Sequence, residues 1–487
     1  MRLSSLLAPG VDLVGAGDIE ITSLSADSRT VAPGALFAAL AGTRADGSQF
    51  IDDAIGRGAA ALLVGRAAAV DAVGRTKGSA VVVAEEPRRA LAQIAARFYP
   101  RQPATIVAVT GTNGKTSIAE FTRQIWAHAR LQAASLGTLG VVKPGGAVYG
   151  SLTTPDPITL HRTLQALADE GVTHLAMEAS SHGLDQYRLD GVRLAAGAFN
   201  NLGRDHLDYH PTMEAYLEAK LGLFRRLLEP GRTAVINLDG AFSDQALDAA
   251  VQRGLSVMTT GIEGRTLRLK SVRRAGFAQE IEVEHAEFST GLSLDLVGDY
   301  QVSNALVAAA LAMAGGIDAR QALTAIGALK GVPGRLEIVG RTHGGLAVVD
   351  YAHKPEALDA ALTALRAFAT GRLVCVFGCG GDRDRGKRPI MGRIAVDKAD
   401  VVIVTDDNPR GEVPSQIRAQ ILASAPGARE IGDRAQAIAA GIGMLGPGDV
   451  LLVAGKGHET GQIVGAKTLP FSDHEAIRAA ISARGGA

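Results

Sequence analysis

The stretch that most restricts the fold is 105–130, TIVAVTGTNGKTSIAEFTRQIWAHAR. A β-branched apolar run from Thr105 to Thr110 stops at Gly111-Thr112-Asn113-Gly114-Lys115-Thr116, after which Ile118, Phe121, Ile125, Trp126 and Ala129 recur at helical spacing. Strand, loop and helix in that order set the loop at a helix N-terminus. The two glycines let the backbone curl with its N–H groups turned inward, which makes an anion cradle. Lys115 adds a point charge for outer phosphates, and the Thr116 hydroxyl suits Mg²⁺. Because Gly-Lys-Thr falls at the strand–helix joint, nucleotide binding is favoured over a plain connecting turn. The general Walker pattern asks for glycine where this chain has Val109, so the loop is a variant form.

A chain of 487 residues exceeds one core and predicts about three domains. Lys+Arg of 50 balances Asp+Glu of 50, so no global field draws the protein to nucleic acid or an anionic membrane, and anionic ligands must be met locally. Only Cys375 and Cys379 occur, which fits a reducing compartment and two passive apolar side chains better than a disulfide framework or zinc site. No apolar run reaches the ~18 residues that span a bilayer, and the N-terminal apolar stretch is too short for a signal peptide. A cytoplasmic protein is expected.

Residues 1–100 alternate short apolar runs (35–40, 59–64, 80–84) with polar turns and end in a helix over 88–98 and a proline-rich breaker. Within them Asp27-Ser28-Arg29 reads alone as a turn with a solvated ion pair, and 42–47 as a loop. From Thr105 onward apolar runs end in polar residues: 175–177 before Glu178, 195–199 before Asn200-Asn201, 234–236 before Asn237. Helices are expected over 158–168 and 213–228. Buried parallel strands read this way, and ligands of doubly wound sheets lie beyond the strands' carboxyl ends. Leu267/Leu269, Ile281/Val283 and Leu292/Leu294/Leu296 alternate with polar residues, the period of a small antiparallel sheet, and an apolar helix follows over 302–314. A further α/β segment has strands at 346–349, 373–377, 401–404 and 450–453, ending at Asp350, Gly378, Asp406-Asp407 and Gly455.

Glu178 and His206, the latter beside Asp205, Asp208 and His210, are suited to a magnesium–nucleotide complex next to Lys115 and Thr116. Lys220, on spacing alone, is a solvent-facing helical lysine. Thr153-Thr154-Pro155, Asp350-Tyr351-Ala352-His353, Gly381-Asp382-Arg383-Asp384 and Asp407-Asn408-Pro409-Arg410 each follow an apolar segment, and each reads as a turn on its own. Arg383 and Arg410, however, follow neighbouring strands, and two guanidinium forks at one sheet edge suit a carboxylate.

Taken together, the loop 111–116, Glu178-Ala179-Ser180-Ser181-His182-Gly183-Leu184, Asp205-His206-Leu207-Asp208, Asp350-Tyr351-Ala352-His353 and Asp407-Asn408-Pro409-Arg410 resemble the Mur ligase superfamily along essentially the whole chain. That family uses the shorter loop. The resemblance implies an α/β protein of three domains: an N-terminal UDP-sugar-binding domain (1–101), a central doubly wound P-loop ATPase-like sheet carrying a small antiparallel sheet (102–333), and a C-terminal Rossmann-like, amino-acid-binding domain (334–487). It implies ATP-dependent amide ligation in peptidoglycan synthesis, with meso-2,6-diaminopimelate added to UDP-N-acetylmuramoyl-L-alanyl-D-glutamate through an acyl phosphate. ATP would be met by Gly111, Thr112, Asn113, Gly114, Lys115, Thr116 and Ser117, with Asn304, Arg335 and Asp350. The UDP-sugar dipeptide would be met by Ser28, Thr153, Thr154, Ser180, Gln186 and Arg188. Arg383, Asp407, Asn408, Pro409, Arg410, Gly455 and Glu459 would take the amino acid. Lys115, Glu178, His206 and Lys220 would be catalytic, and Mg²⁺ would be held by Thr116, Glu178, His206 and a carbamylated Lys220. The expected partners are small molecules, with no nucleic acid, no membrane insertion and a monomeric state. Arg410 would favour diaminopimelate over lysine, because a buried guanidinium left without its carboxylate costs roughly 2–5 kcal/mol.

Overall fold

The computed structural model describes residues 1–15, 18–42, 46–76, 79–148 and 152–485. Of the loop expected over 42–47, residues 43–45 lie outside the described ones. Internal contacts divide the chain into one unit of Met1–Thr259 with Ala310–Asp318 and another of Thr260–Ala309 with Ala319–Ala487.

The first unit carries two sheets. In the N-terminal one the order is Asp12–Val14, Ala80–Ala84, Ala61–Gly65, Ala35–Ala38, Ser23–Ser25, parallel except for the first pair. Alanine, leucine and valine runs buried on both faces form the strands Ala35–Ala38, Ala61–Gly65 and Ala80–Ala84, as parallel sheets require. The helix Pro87–Phe98 starts with proline in its first turn, where no N–H partner is lost, and lays Leu91 and Ile94 against Leu36, Leu63 and Val82.

The second sheet of this unit runs Thr233–Asn237, Leu194–Phe199, Thr105–Thr110, His174–Glu178, Ala133–Gly137, with the antiparallel strands Gly140–Lys143 and Gly146–Val148 after it. The strand Thr105–Thr110 is followed by a helix that crosses to Ala133–Gly137, and the chain later adds strands on both of its sides. That is a topological switch point, where a crevice opens beyond the strand ends. Register fixes what the crevice receives: Glu178 pairs with Val109 and Phe199 with Thr110, so Glu178, Gly111 and Asn200 leave the sheet at one level. Ile118, Phe121, Ile125 and Trp126 of the helix Lys115–His128 are fully buried.

The helix expected over 213–228 is instead Met213–Gly222 followed by a π-turn, Leu223–Leu227. The wider turn closes with the Leu228 N–H donating to the Leu223 carbonyl at 3.1 Å. Leu223 and Leu228 both pack over Gly197, where a Cβ would lie 3.0 Å from Leu223. A regular turn would not bring both leucines onto that bare strand surface.

In the second unit, Leu267–Ala275, Ala278–His285 and Phe288–Leu294 form the antiparallel meander that the alternating pattern predicts, with Ile281 and Val283 buried between exposed neighbours. Its other sheet runs Glu337–Thr342, Gly345–Asp350, Val450–Ala454, Leu373–Phe377, Val401–Val404, Arg429–Glu430, parallel except for the first pair. Asp350 and Phe377 both pair with Ala454, and Phe377 also pairs with Val404. The loops starting near 350, 378, 405 and 455 therefore gather on one edge.

Candidate active site

The phosphate loop is held by backbone geometry and by the asparagines behind it. Gly114 takes φ +85° and caps the helix Lys115–His128, while Gly111 takes φ +154° where a Cβ would lie 3.2 Å from the Asn200 Cβ. Larger residues fit neither position without strain. Asn201 Oδ1 accepts from the Asn113 N–H at 3.0 Å, and Asn200 Nδ2 donates to the Asn113 carbonyl at 3.0 Å. Asn237 Nδ2 in turn donates to Asn200 Oδ1 at 3.0 Å. Thr116 is half-buried in the first helical turn, and Ser117 is buried behind it.

Two lysines converge on this loop. Lys115 Nζ donates to the carbonyls of Gly111 and Thr112 at 2.8 and 2.9 Å, and Lys220 Nζ donates to the same Gly111 carbonyl at 2.8 Å. Lys220 is therefore not the solvent-facing lysine that spacing alone predicts. It is 1% exposed, because its helix turns this face toward the loop, with the amine 4.4 Å from the Tyr216 ring centre. Burial, and secondarily the Lys115 charge, push its pKa well below the ordinary lysine value.

Glu178 is buried and accepts from the Thr138 N–H at 2.7 Å and the Thr138 hydroxyl at 3.3 Å. Gly137 makes room for it, since a Cβ there would overlap the carboxylate. His206 adopts φ +53° with its ring 4.9 Å from that of His182, and partial burial lowers its pKa. Among the described residues no three His, Cys, Asp or Glu side chains are grouped to hold a metal. Thr116, Glu178 and His206 are hard oxygen and imidazole donors offered singly, which fits an ion that brings most of its ligands as phosphate and water oxygens.

Of the expected dipeptide-binding residues, Thr153, Thr154, Ser180, Gln186 and Arg188 form one hydrogen-bonded group beside Glu178, and Ser28 lies apart from it. Thr138 and Thr153 share a hydroxyl contact at 3.0 Å, and Thr154 Oγ1 donates to the Glu178 carbonyl at 3.0 Å and accepts from Ser180 Oγ at 3.0 Å. Arg188 donates to the Thr154 carbonyl at 2.7 Å and to Gln186 Oε1 at 2.8 Å. A cavity of about 590 Å³ joins Gln186 and Arg188 to Ser28 and Arg29, in a turn of the N-terminal segment, and to Arg88 of the helix Pro87–Phe98. Asp27 and Arg29 form the exposed ion pair anticipated from Asp-Ser-Arg, and Asp27 accepts from the Arg29 N–H at the start of a short 3₁₀ turn.

In the second unit Asn304 is buried and donates to Gln301 Oε1 at 3.0 Å, and Arg335 lies 5.6 Å from the Tyr351 ring centre. Asp350 accepts from the N–H groups of Leu336 and Ala352, each at 2.8 Å, yet burial pushes its carboxyl up to about 6. A second cavity, of about 610 Å³, is lined by Arg383, Asp407, Asn408, Arg410, Gly455 and Glu459. Pro409 joins Asn408 to Arg410, and its carbonyl would meet a Cβ on Gly381. Arg410, at φ +50°, donates from Nη1 to the Gly381 carbonyl at 3.0 Å. It is half-buried, and among the described residues neither Arg383 nor Arg410 forms an ion pair.

Three buried groups brace this cavity without having been singled out in the sequence. Arg388, fully buried, pairs with Glu412 at 2.9 Å, and Glu412 accepts from the Asp382 N–H at 2.7 Å. Arg434 pairs with Asp473 at 2.7 Å, both fully buried. Lys456 is fully buried beside Asn408 and Glu459. A lysine between two glycines directly after the apolar run 450–454 was the available signal for the last of these.

Comparison with known proteins matches three family models in order: Mur ligase family, catalytic domain, at 20–99; Mur ligase middle domain at 109–312; and Mur ligase, glutamate ligase domain, at 334–457. The UDP-N-acetylmuramoyl-L-alanyl-D-glutamate–2,6-diaminopimelate ligase of Brucella melitensis is 58% identical over 485 residues, covering 99% of this chain and 98% of the relative. The ligase of the same name from Rhizobium meliloti is 58% identical, covering 96% and 95%. A solved structure of a protein with that name is 33% identical with a TM-score of 0.72, covering 96% of both chains. Identity of this extent over 99% of the chain establishes that it belongs to the Mur ligase family.

Proposed function

We propose that the protein joins meso-2,6-diaminopimelate to the D-glutamate γ-carboxylate of UDP-N-acetylmuramoyl-L-alanyl-D-glutamate at the expense of ATP, in peptidoglycan synthesis. The observation that carries this reading is the 610 Å³ cavity, where Arg383 and Arg410, without ion pairs among the described residues, stand with Asp407 and Glu459. Diaminopimelate has two carboxylates and two amines, so it needs both signs of charge. Whole-length relatedness to ligases named for that amino acid supports the assignment.

On this reading residues 1–101 receive the UDP-sugar, 102–333 ATP and 334–487 the amino acid. Ser28, Thr153, Thr154, Ser180, Gln186 and Arg188 hold the muramoyl dipeptide. The N–H groups of 111–117 and the Lys115 ammonium hold the phosphates, and Asn304, Arg335 and Asp350 hold the rest of ATP. The D-glutamate γ-carboxylate oxygen attacks the γ-phosphorus, the bond to the β-phosphate oxygen breaks, and ADP departs. The diaminopimelate amine, having shed a proton, then attacks the acyl carbon and phosphate leaves. Positioning and charge neutralisation carry such a transfer. Thr116, Glu178, His206 and a carbamylated Lys220 would hold Mg²⁺, which would offset the phosphate charge.

The buried, pKa-depressed Lys220 amine supports a carbamate there. Its neutral form can add to CO₂ and lose a proton, turning a cation into a metal-binding anion. The protein acts in the cytoplasm as a monomer on small-molecule substrates.

The test is product analysis. The purified chain, given the UDP-dipeptide, ATP, Mg²⁺ and meso-diaminopimelate, should yield the condensed UDP-tripeptide by mass spectrometry with matching ADP and phosphate. ADP release without a condensed product would overturn the reading.

A further inference from the structure

The turn after the strand Val450–Ala454 passes Asp407 and Tyr351 too closely for side chains at its glycines. Gly455 takes φ +116°, and a Cβ there would lie 2.6 Å from Asp407 Oδ2; Gly457 takes φ +52°, and a Cβ there would lie 2.7 Å from the Tyr351 Cβ. Lys456, between them, is fully buried. Its Nζ donates to the Gly461 carbonyl at 2.6 Å, Asn408 Oδ1 at 3.0 Å and Glu459 Oε2 at 3.2 Å, and stands 3.8 Å from Asp407 Oδ1. One hidden ammonium thus touches or faces three residues that line the amino-acid cavity, while not lining it itself.

These bonds determine orientation. Asn408 Oδ1 accepts from Lys456 and from the Ile463 N–H at 2.9 Å, so the amide cannot flip without losing both, and its Nδ2 is aimed at Glu459 Oε2, 2.9 Å away. Glu459 Oε2 is held by two donors, which leaves Oε1 for a ligand. Arg434, paired with Asp473, also draws on Asp407 and Glu459, while the Lys456 ammonium bonds Glu459 directly and stands 3.8 Å from Asp407.

We propose that Lys456 is a positioning residue of the amino-acid pocket, orienting Asn408 and Glu459 to receive an ammonium of the incoming amino acid; this rests on the reading of that cavity as the amino-acid site. Without the lysine, Asn408 Oδ1 keeps the Ile463 N–H alone and the Asp407 and Glu459 carboxylates repel each other with less to offset them, so amino-acid binding suffers while the nucleotide and UDP-sugar sites do not.

Phosphate release by the full chain tests this, with each substrate varied in turn. Lys456→Met should raise the KM for diaminopimelate about tenfold or more and leave those for ATP and the UDP-dipeptide within about twofold. Because Lys456 acts through Glu459, the double variant with Glu459→Gln should be no worse than the poorer single variant. Multiplying effects, an unchanged diaminopimelate KM, or equal rises in all three KM values would overturn the proposal. If Lys456→Met shows no cooperative thermal unfolding, Lys456→Gln, which keeps an N–H donor, takes its place with an expected rise of about fivefold. If neither variant folds, the lysine is a folding residue and the proposal is wrong. A wild type that turns over a different amino acid refutes the assigned substrate alone, and the same KM comparison is then made with that amino acid. A wild type that needs no amino acid refutes both.

Discussion

The loop 111–116 and the pocket proposed for the amino acid are built for charged ligands by opposite means. The loop is nearly all main chain: two glycines, a helix N-terminus and one lysine, assembled within six residues of sequence and steadied by three asparagines. The pocket is nearly all side chain, drawn from loops that start near 350, 378, 405 and 455 and tied by buried ions. A cradle of N–H groups serves any phosphate, since every residue supplies the same donor. Telling one amino acid from another needs carboxylates and guanidinium groups at set distances, and these hold position only if something buried holds them.

Substitutions should separate the two kinds of site. Lys115→Ala removes the loop's only side-chain charge and should lower kcat about 10³-fold, with diaminopimelate KM little changed, in phosphate-release assays at saturating UDP-dipeptide. A defect confined to diaminopimelate KM would mean the two regions are not distinct. Arg410→Ala should do the converse, raising diaminopimelate KM about 10²-fold with ATP KM unchanged. An equal effect on ATP would place Arg410 elsewhere. Glu412→Gln weakens the clasp between Arg388 and the Asp382 N–H, and should raise diaminopimelate KM about three- to tenfold through looser placement of Arg383. No change would mean that Pro409 and Gly381 alone fix that loop.

The smallest effect concerns pH. Burial raises Asp350 from 3.8 to about 6, so between those values the folded chain holds a proton that the unfolded chain has lost. That contribution is complete below pH 3.8 and is lost as pH rises to about 6. Urea unfolding of wild type against Asp350→Asn should show wild type losing relative stability across that window, by at most about 1.4 kcal/mol per pH unit. A relative gain would reverse the assigned direction.

What the sequence disclosed follows the same division. Strands such as Leu373–Phe377 and Ala80–Ala84 were readable to the residue because a doubly buried strand is a bare apolar run between polar ends. The loop 111–116 was readable because its glycines and lysine are adjacent in sequence. Lys220 was not, since helical spacing says which residues share a face and not what covers that face. Only the burial of Lys220 against the Gly111 carbonyl, 109 positions away, reveals its environment. Arg388, Arg434 and Lys456 escaped notice for a related reason: a buried cation is tolerated when its partner is near, and Glu412, Asp473 and Glu459 are partners only in the folded chain. The π-turn at Leu223–Leu227 likewise depends on Gly197, which lies on another strand.

The most direct test of the central claim is the amino-acid dependence of phosphate release. With ATP, Mg²⁺ and the UDP-muramoyl dipeptide fixed, the chain should be offered meso-diaminopimelate, L-lysine, L-ornithine and glutamate in parallel. Turnover with diaminopimelate should exceed that with lysine by about 10²-fold or more in kcat/KM, because lysine leaves an arginine fork without its carboxylate. Lysine turned over as well as diaminopimelate would contradict the account.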